Sequence, residues 1–248
     1  MNNYKLLIQY DGGRYQGWQR LGNGENTIQG KLEQVLSALL GEPTELIGCS
    51  RTDAGVHALA QTAHFKTALE PSEEEIKLYF SQYLPHDIGV LEVSRVPESF
   101  HARYCAKNKT YLYQIWNRTY PNPFLRKYSM HVRQELDLDA MRQAAGHLLG
   151  AHDFTAFSNA KSKKKSMVRL LHDIQITQRD GCVRVRVRGS GFLHQMVRRV
   201  VGTLVAAGSG AIHADSIPDI LQSKERKRAG YIADACGLFL EHIDYSDN

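Results

Sequence analysis

The chain has 248 residues, 42% of them hydrophobic, so it can bury a sizeable core as one large domain or two smaller ones. No apolar run approaches the roughly 20 residues that cross a bilayer, and residues 1–10 alternate like a strand without a cleavable leader; a soluble, cytoplasmic protein is expected. A formal charge of +5 and a pI near 9.0 favour a polyanionic partner, while four cysteines and eleven histidines, scattered without metal-ligand spacing, argue for free thiols and against a metal site.

Tyr4 to Tyr10 reads as a buried strand ended by Asp11-Gly12-Gly13, and an aromatic, basic loop follows from Arg14 to Arg20. Asn26 or Thr27 caps a helix in which Ile28, Leu32, Val35, Leu36, Leu39 and Leu40 recur at helical spacing, and Gly41 stops it. A strand around Leu46 leads into the loop Arg51-Thr52-Asp53-Ala54-Gly55-Val56-His57, from which Gln61 to Lys66 leaves as a second strand. Asp53 either closes an ordinary Asx-type turn or holds a carboxylate where chemistry can use it. Ser72 with Glu75 predicts a capping box for a helix carrying Ile76, Tyr79, Phe80 and Tyr83, and Val90 to Val96 closes a β-α-β-β-α-β unit, the ferredoxin-like order.

The second half repeats that order. Thr110 to Trp116 is a predicted strand on which Tyr111 and Tyr113 share a face, as packing residues or as a stacking platform. Asp137 to Leu149 is a helix ended by Gly150. Val168 to Arg179 and Cys182 to Arg188 form a hairpin about Asp180-Gly181, with Arg184, Arg186 and Arg188 about 6.5 Å apart on one face, either simply solvated or tracking phosphates. Phe192 to Val205 is an amphipathic helix and Leu238 to Ile243 a last strand. Two basic runs, Lys161 to Lys165 and Lys224 to Arg228, are solvated loops or phosphate contacts.

Five segments resemble motifs of the TruA family of pseudouridine synthases. Cys49 to Ala58 is similar to its catalytic loop, Gly-Arg-Thr-Asp-Ala-Gly-Val-His-Ala, with Ser50 replacing the first glycine. Tyr10 to Gln19 resembles Tyr-Asp-Gly-x-x-Phe-x-Gly-Trp-Gln, with Tyr15 for phenylalanine. Phe100-His101-Ala102-Arg103-Tyr104 followed by Lys109-Thr110-Tyr111-Leu112-Tyr113 resembles the second motif, Phe-His-Ala-Arg-(aromatic) then Lys/Arg-x-Tyr-x-Tyr, with Leu112 where arginine is frequent, and Phe192 to Gly202 resembles the third, with Arg198 at its arginine. Ala233 to Leu240 resembles the family's ending, with Asp234 where proline is common.

The resemblance implies an α+β fold of two ferredoxin-like halves, 1–106 and 107–248, with mainly antiparallel sheets joined edge to edge, helices on the outer face and an active-site cleft on the other. It implies an isomerase that converts uridine to pseudouridine in the anticodon stem-loop of tRNA, positions 38–40, as a homodimer with no metal and no organic cofactor. Asp53 would be the catalytic carboxylate, attacking sugar or base or removing a ribose proton. Tyr111 would stack on the uracil and help remove the C5 proton, Arg198 would keep Asp53 charged, and Arg51 would prop the base out. Arg14, Trp18, Gln19, His57, Arg103 and Lys109 would touch substrate, with Arg184, Arg186 and Arg188 along the backbone and Leu238 as an apolar wall of the uracil pocket or as ordinary core. A non-catalytic RNA-binding protein would share the basic and aromatic residues but has no use for Asp53. A magnesium phosphohydrolase would need further acidic residues, and none lies nearer to Asp53 in sequence than Glu45.

Overall fold

In β1 (Asn2–Tyr10) every second side chain from Tyr4 onward, namely Tyr4, Leu6, Ile8 and Tyr10, is buried, as period-two alternation on a half-covered sheet requires. The structure is a computed structural model describing residues 1–22, 26–159 and 166–246, so the predicted basic loop Lys161 to Lys165 lies outside the described residues. Two compact units divide the chain: Met1–Lys107 with Phe239–Asn248, and Asn108–Leu238. The fold is mixed α/β with mostly antiparallel strands and five α-helices among the described residues, none long and apolar enough to cross a membrane.

In the first unit β3 (His57–Thr67) runs antiparallel to β1, with Leu6 opposite Ala63, and β4 (Ile88–Val96) covers the other edge of β1. The short β2 (Ile47–Gly48) pairs with β3 through Ile47 and His64. α1 (Ile28–Leu40) starts where the Thr27 hydroxyl accepts the Gly30 N–H, and buries Ile28, Leu32, Leu36 and Leu40. α2 (Glu73–Tyr83) starts at Ser72, whose Oγ accepts the Glu75 N–H at 3.1 Å, and buries Ile76 and Phe80.

The second unit orders its strands β5 (Asn108–Asn117), β9 (Cys182–Gly189), β8 (Val168–Arg179) and β7 (Gly150–Asp153), each antiparallel to the next. β6 (Met130–Val132) adds a parallel pairing on β5. Asp180 (φ 52°) and Gly181 (φ 83°) both take positive φ in the β8–β9 turn, the two-residue geometry that an Asp-Gly pair favours. α3 (Leu138–Gly146) packs on β8 and on α4 (Met196–Gly208), and α5 (Ile217–Ser223) follows.

Three boundaries differ from the sequence reading. α3 stops at Gly146, because Leu148 and Leu149 bond back to Ala145 and Gly146 in tighter turns and Gly150 opens β7. α4 begins at Met196, since Gln195 sits at φ 59° and ends the preceding turn; Phe192 and Leu193 lie outside the helix. The last strand, β10 (Leu238–Asp244), belongs from Phe239 onward to the first unit and not to the second half where chain order put it. There Phe239 and Leu240 pair in parallel with His57 and Ala58 of β3.

Candidate active site

 Asp53 sits on the eight-residue loop Cys49 to Val56 between β2 and β3, half-buried between exposed Arg51 and Ala54, and each neighbouring backbone segment is tied down. Before it, the buried Gln61 side chain accepts the Ser50 N–H at 3.2 Å and donates to the Ser50 carbonyl at 2.7 Å. Beside it, the Thr52 hydroxyl shares a 2.8 Å hydrogen bond with the Tyr10 hydroxyl, and the Thr52 carbonyl accepts the Trp18 N–H at 3.1 Å. After it, the Val56 N–H donates to the Asp53 carbonyl at 3.2 Å. Gly17, at φ 100°, lets its backbone approach this loop: a side chain there would meet the Thr52 carbonyl oxygen at 2.7 Å. The carboxylate is therefore carried on a backbone with little freedom.

Two residues of the first unit expected to touch substrate, Trp18 and His57, are buried. Trp18 is 1% exposed and lies against Gly48, where an added Cβ would meet its ring at 2.4 Å. His57, also 1% exposed, accepts the Gly12 N–H on Nδ1, lies 3.0 Å from Asp11 Oδ1 and stacks on Phe239. Both shape the loop from inside. Gln19 is exposed, as is Arg14, which binds Asp87 through Nε and Nη2. Burial pushes the Asp87 carboxyl up, but the Tyr15 hydroxyl and the Arg14 guanidinium outweigh it and hold it below the usual range. Arg103 is half-buried and donates to the Gly48 carbonyl at 3.2 Å, at the foot of the Asp53 loop. Gln61 and Asp87 were missed in the sequence; the signal for Gln61 was a polar side chain in the buried phase of a strand, opposite Ile8.

In the second unit Tyr111 is buried and meets Phe192 edge-on at 5.1 Å. Arg198, in the first turn of α4, is clamped to Ala233: its Nε donates to the Ala233 carbonyl at 2.7 Å and its own carbonyl accepts the Ala233 N–H at 3.1 Å. Leu238 is buried, Lys109 half-buried. Tyr113 donates to the Asp234 carbonyl at 2.8 Å, and burial, with the nearby Cys236 and Asp234, pushes its hydroxyl pKa up. Strand register separates two expected contacts. Tyr111 stands opposite Val187 and Tyr113 opposite Val185, on the face that buries the valines, whereas Arg184, Arg186 and Arg188 project from the other face of β9. Among the described residues no group of His, Cys, Asp and Glu side chains could hold a metal ion.

Comparison with known proteins bears on the whole chain. The tRNA pseudouridine synthase family model matches residues 6–105 and 144–246, ranges that hold Arg51, Asp53 and Arg198, with Tyr111 between them. The tRNA pseudouridine synthase A 2 of Bacillus anthracis is 56% identical over 245 residues, covering 99% of this chain and 100% of that protein. The tRNA pseudouridine synthase A of Bacillus sp. strain KSM-64 is 57% identical and that of Acetivibrio thermocellus 44% identical, each over 245 residues with the same coverage. Similarity of this extent, from one end of both chains to the other, places the protein in the tRNA pseudouridine synthase family.

Proposed function

We propose that the protein isomerises uridine to pseudouridine in the anticodon stem-loop of tRNA, positions 38–40, without a metal or organic cofactor, and that Asp53 opens the reaction. The observation that carries this reading is the tethering of the Asp53 loop by Gln61, Tyr10 and Trp18. The bond from N1 to C1′ of the ribose breaks, the uracil turns, and C5 bonds to C1′; C5 gives up its proton and N1 ends protonated. Asp53 attacks the sugar or the base, or removes a ribose proton to start the cleavage. Tyr111 stacks on the uracil and assists loss of the C5 proton, Arg198 keeps the carboxylate ionised, and Arg51 supports the extruded base, whose unstacking costs a few kcal/mol. Each unit is read as a ferredoxin-like half, supported in the first by the order β4-β1-β3 with β2 on β3. The active form is a cytoplasmic homodimer.

The test is release of tritium from C5-labelled uridine in a tRNA transcript. Asp53→Asn is expected to lower the single-turnover rate by more than about a thousandfold while tRNA binding is kept. An Asp53→Asn protein that still forms pseudouridine at the wild-type rate overturns the assignment.

A further inference from the structure

The segment Phe100 to Cys105 carries a tyrosine whose ring is mostly open to solvent. Tyr104 is 79% exposed, yet the backbone beneath it is held from several sides. The Arg103 and Tyr104 N–H groups both donate to His101 Nδ1, at 3.2 and 3.3 Å, and the Cys105 N–H donates to the His101 carbonyl at 3.0 Å. The Ala102 N–H donates to His64 Nδ1 at 3.2 Å, and the Tyr245 hydroxyl donates to the Ala102 carbonyl at 2.7 Å. The Tyr104 ring lies 4.2 Å from the His101 ring at 32°, and His101 lies 4.7 Å from His64. Single exposed apolar side chains are common on protein surfaces, and most need no explanation. This one differs in being presented on an ordered turn with one ring face backed by an imidazole.

Its surroundings are cationic. Arg103 and the exposed Lys66 lie close enough to lower the pKa of His101, after burial, which is the larger cause. Arg103 also donates to the Gly48 carbonyl, at the foot of the Asp53 loop. A flat aromatic surface next to fixed positive charges suits a partner with both a π-face and phosphates.

We propose that Tyr104, backed by His101 and flanked by Arg103 and Lys66, is a stacking site for an unpaired nucleobase of the tRNA other than the uridine that reacts. The inference rests on the proposed tRNA substrate but not on Asp53 chemistry. Stacking on a pre-ordered ring adds binding energy that is the same before and during the reaction, so it acts on affinity and not on the chemical step.

The experiment compares wild type, Tyr104→Ala, Tyr104→Phe and Tyr104→Trp as full-length proteins, reading tRNA dissociation constants by filter binding and single-turnover pseudouridine formation at saturating enzyme. Tyr104→Ala is expected to bind tRNA about tenfold more weakly with its saturated rate within about twofold of wild type, and the two aromatic variants are expected to bind like wild type. Because the ring is exposed, its removal leaves no cavity, and unchanged thermal melting checks this. Equal affinity for Tyr104→Ala and wild type overturns the proposal. So does a Tyr104→Phe protein as weak as Tyr104→Ala, which would assign the effect to the hydroxyl, or a change of oligomeric mass with tRNA affinity intact, which would assign the ring to a contact between copies. If wild type binds tRNA but makes no pseudouridine, the functional reading fails while the affinity comparison still decides this one.

Discussion

A buried hydroxyl pair stands next to the carboxylate: Tyr10 and Thr52, 2.8 Å apart and both under one-tenth exposed. Tyr10→Phe removes one of the groups that hold Thr52 in place, so it is expected to cost about 1 kcal/mol of stability and to lower kcat several-fold with KM little changed. Melting curves and steady-state kinetics on tRNA check the two effects, and a stability loss without the kcat effect would make Tyr10 structural only. A second residue sets a pH limit. Burial, with His101 nearby, lowers the pKa of His64 from 6.5 to about 4. Below pH 6.5 the unfolded chain takes up a proton that the folded chain refuses until about pH 4, so stability is complete above 6.5 and is lost as pH falls toward 4. Between pH 7 and 4.5 the loss is expected to be about 2 kcal/mol, and His64→Asn, which keeps an acceptor for the Ala102 N–H, should lack that part of the slope in urea titrations. At this scale the loop that holds Asp53 and Arg51 between two strands was legible from its turn chemistry, whereas the burial of His57 and Trp18 was not, since a motif says which residue is present and not which way it faces.

α4 meets the segment from Ala229 to Ala233 at close range. A Cβ on Gly202 would lie 1.9 Å from the Tyr231 carbonyl oxygen, and the Gly230 N–H donates to the Thr203 hydroxyl at 2.9 Å. Gly202→Ala must therefore push that segment away from α4, and with it Ala233, which holds Arg198 by two hydrogen bonds. The expected outcome is a loss of at least about 2 kcal/mol in a urea titration, with a fall in kcat larger than that of Tyr10→Phe. Secondary structure was legible where capping and turn chemistry agreed with periodicity, as at Thr27, Ser72 and Asp180-Gly181. It failed at Phe192, because an apolar stripe looks the same in a helix and in the turn that precedes it. β6, β7 and α5 are too short for periodicity to show.

Across the molecule, a net charge of +5 predicts salt-sensitive tRNA binding. Replacing Arg184, Arg186 and Arg188 by glutamine is expected to weaken affinity and to flatten the dependence of log K on log salt, by roughly one unit for each arginine that meets a phosphate. The saturated single-turnover rate should hold, because Tyr111 is on the opposite face of that strand pair. A rate that falls with affinity unchanged would contradict this. The sequence by itself determined the alternation of strands and helices, the caps and the turns, because these depend on the chemistry of neighbours within a few positions; it also determined the family, through motifs that survive as strings. Only the tertiary structure decided that β10 joins β3 in the first unit, that Gln61 ties down the Asp53 loop, and that the arginine row and Tyr111 face opposite ways. Those facts depend on hydrogen-bond register between segments far apart in the chain, and a shift of one residue in register, invisible in composition or motif, reverses every side chain.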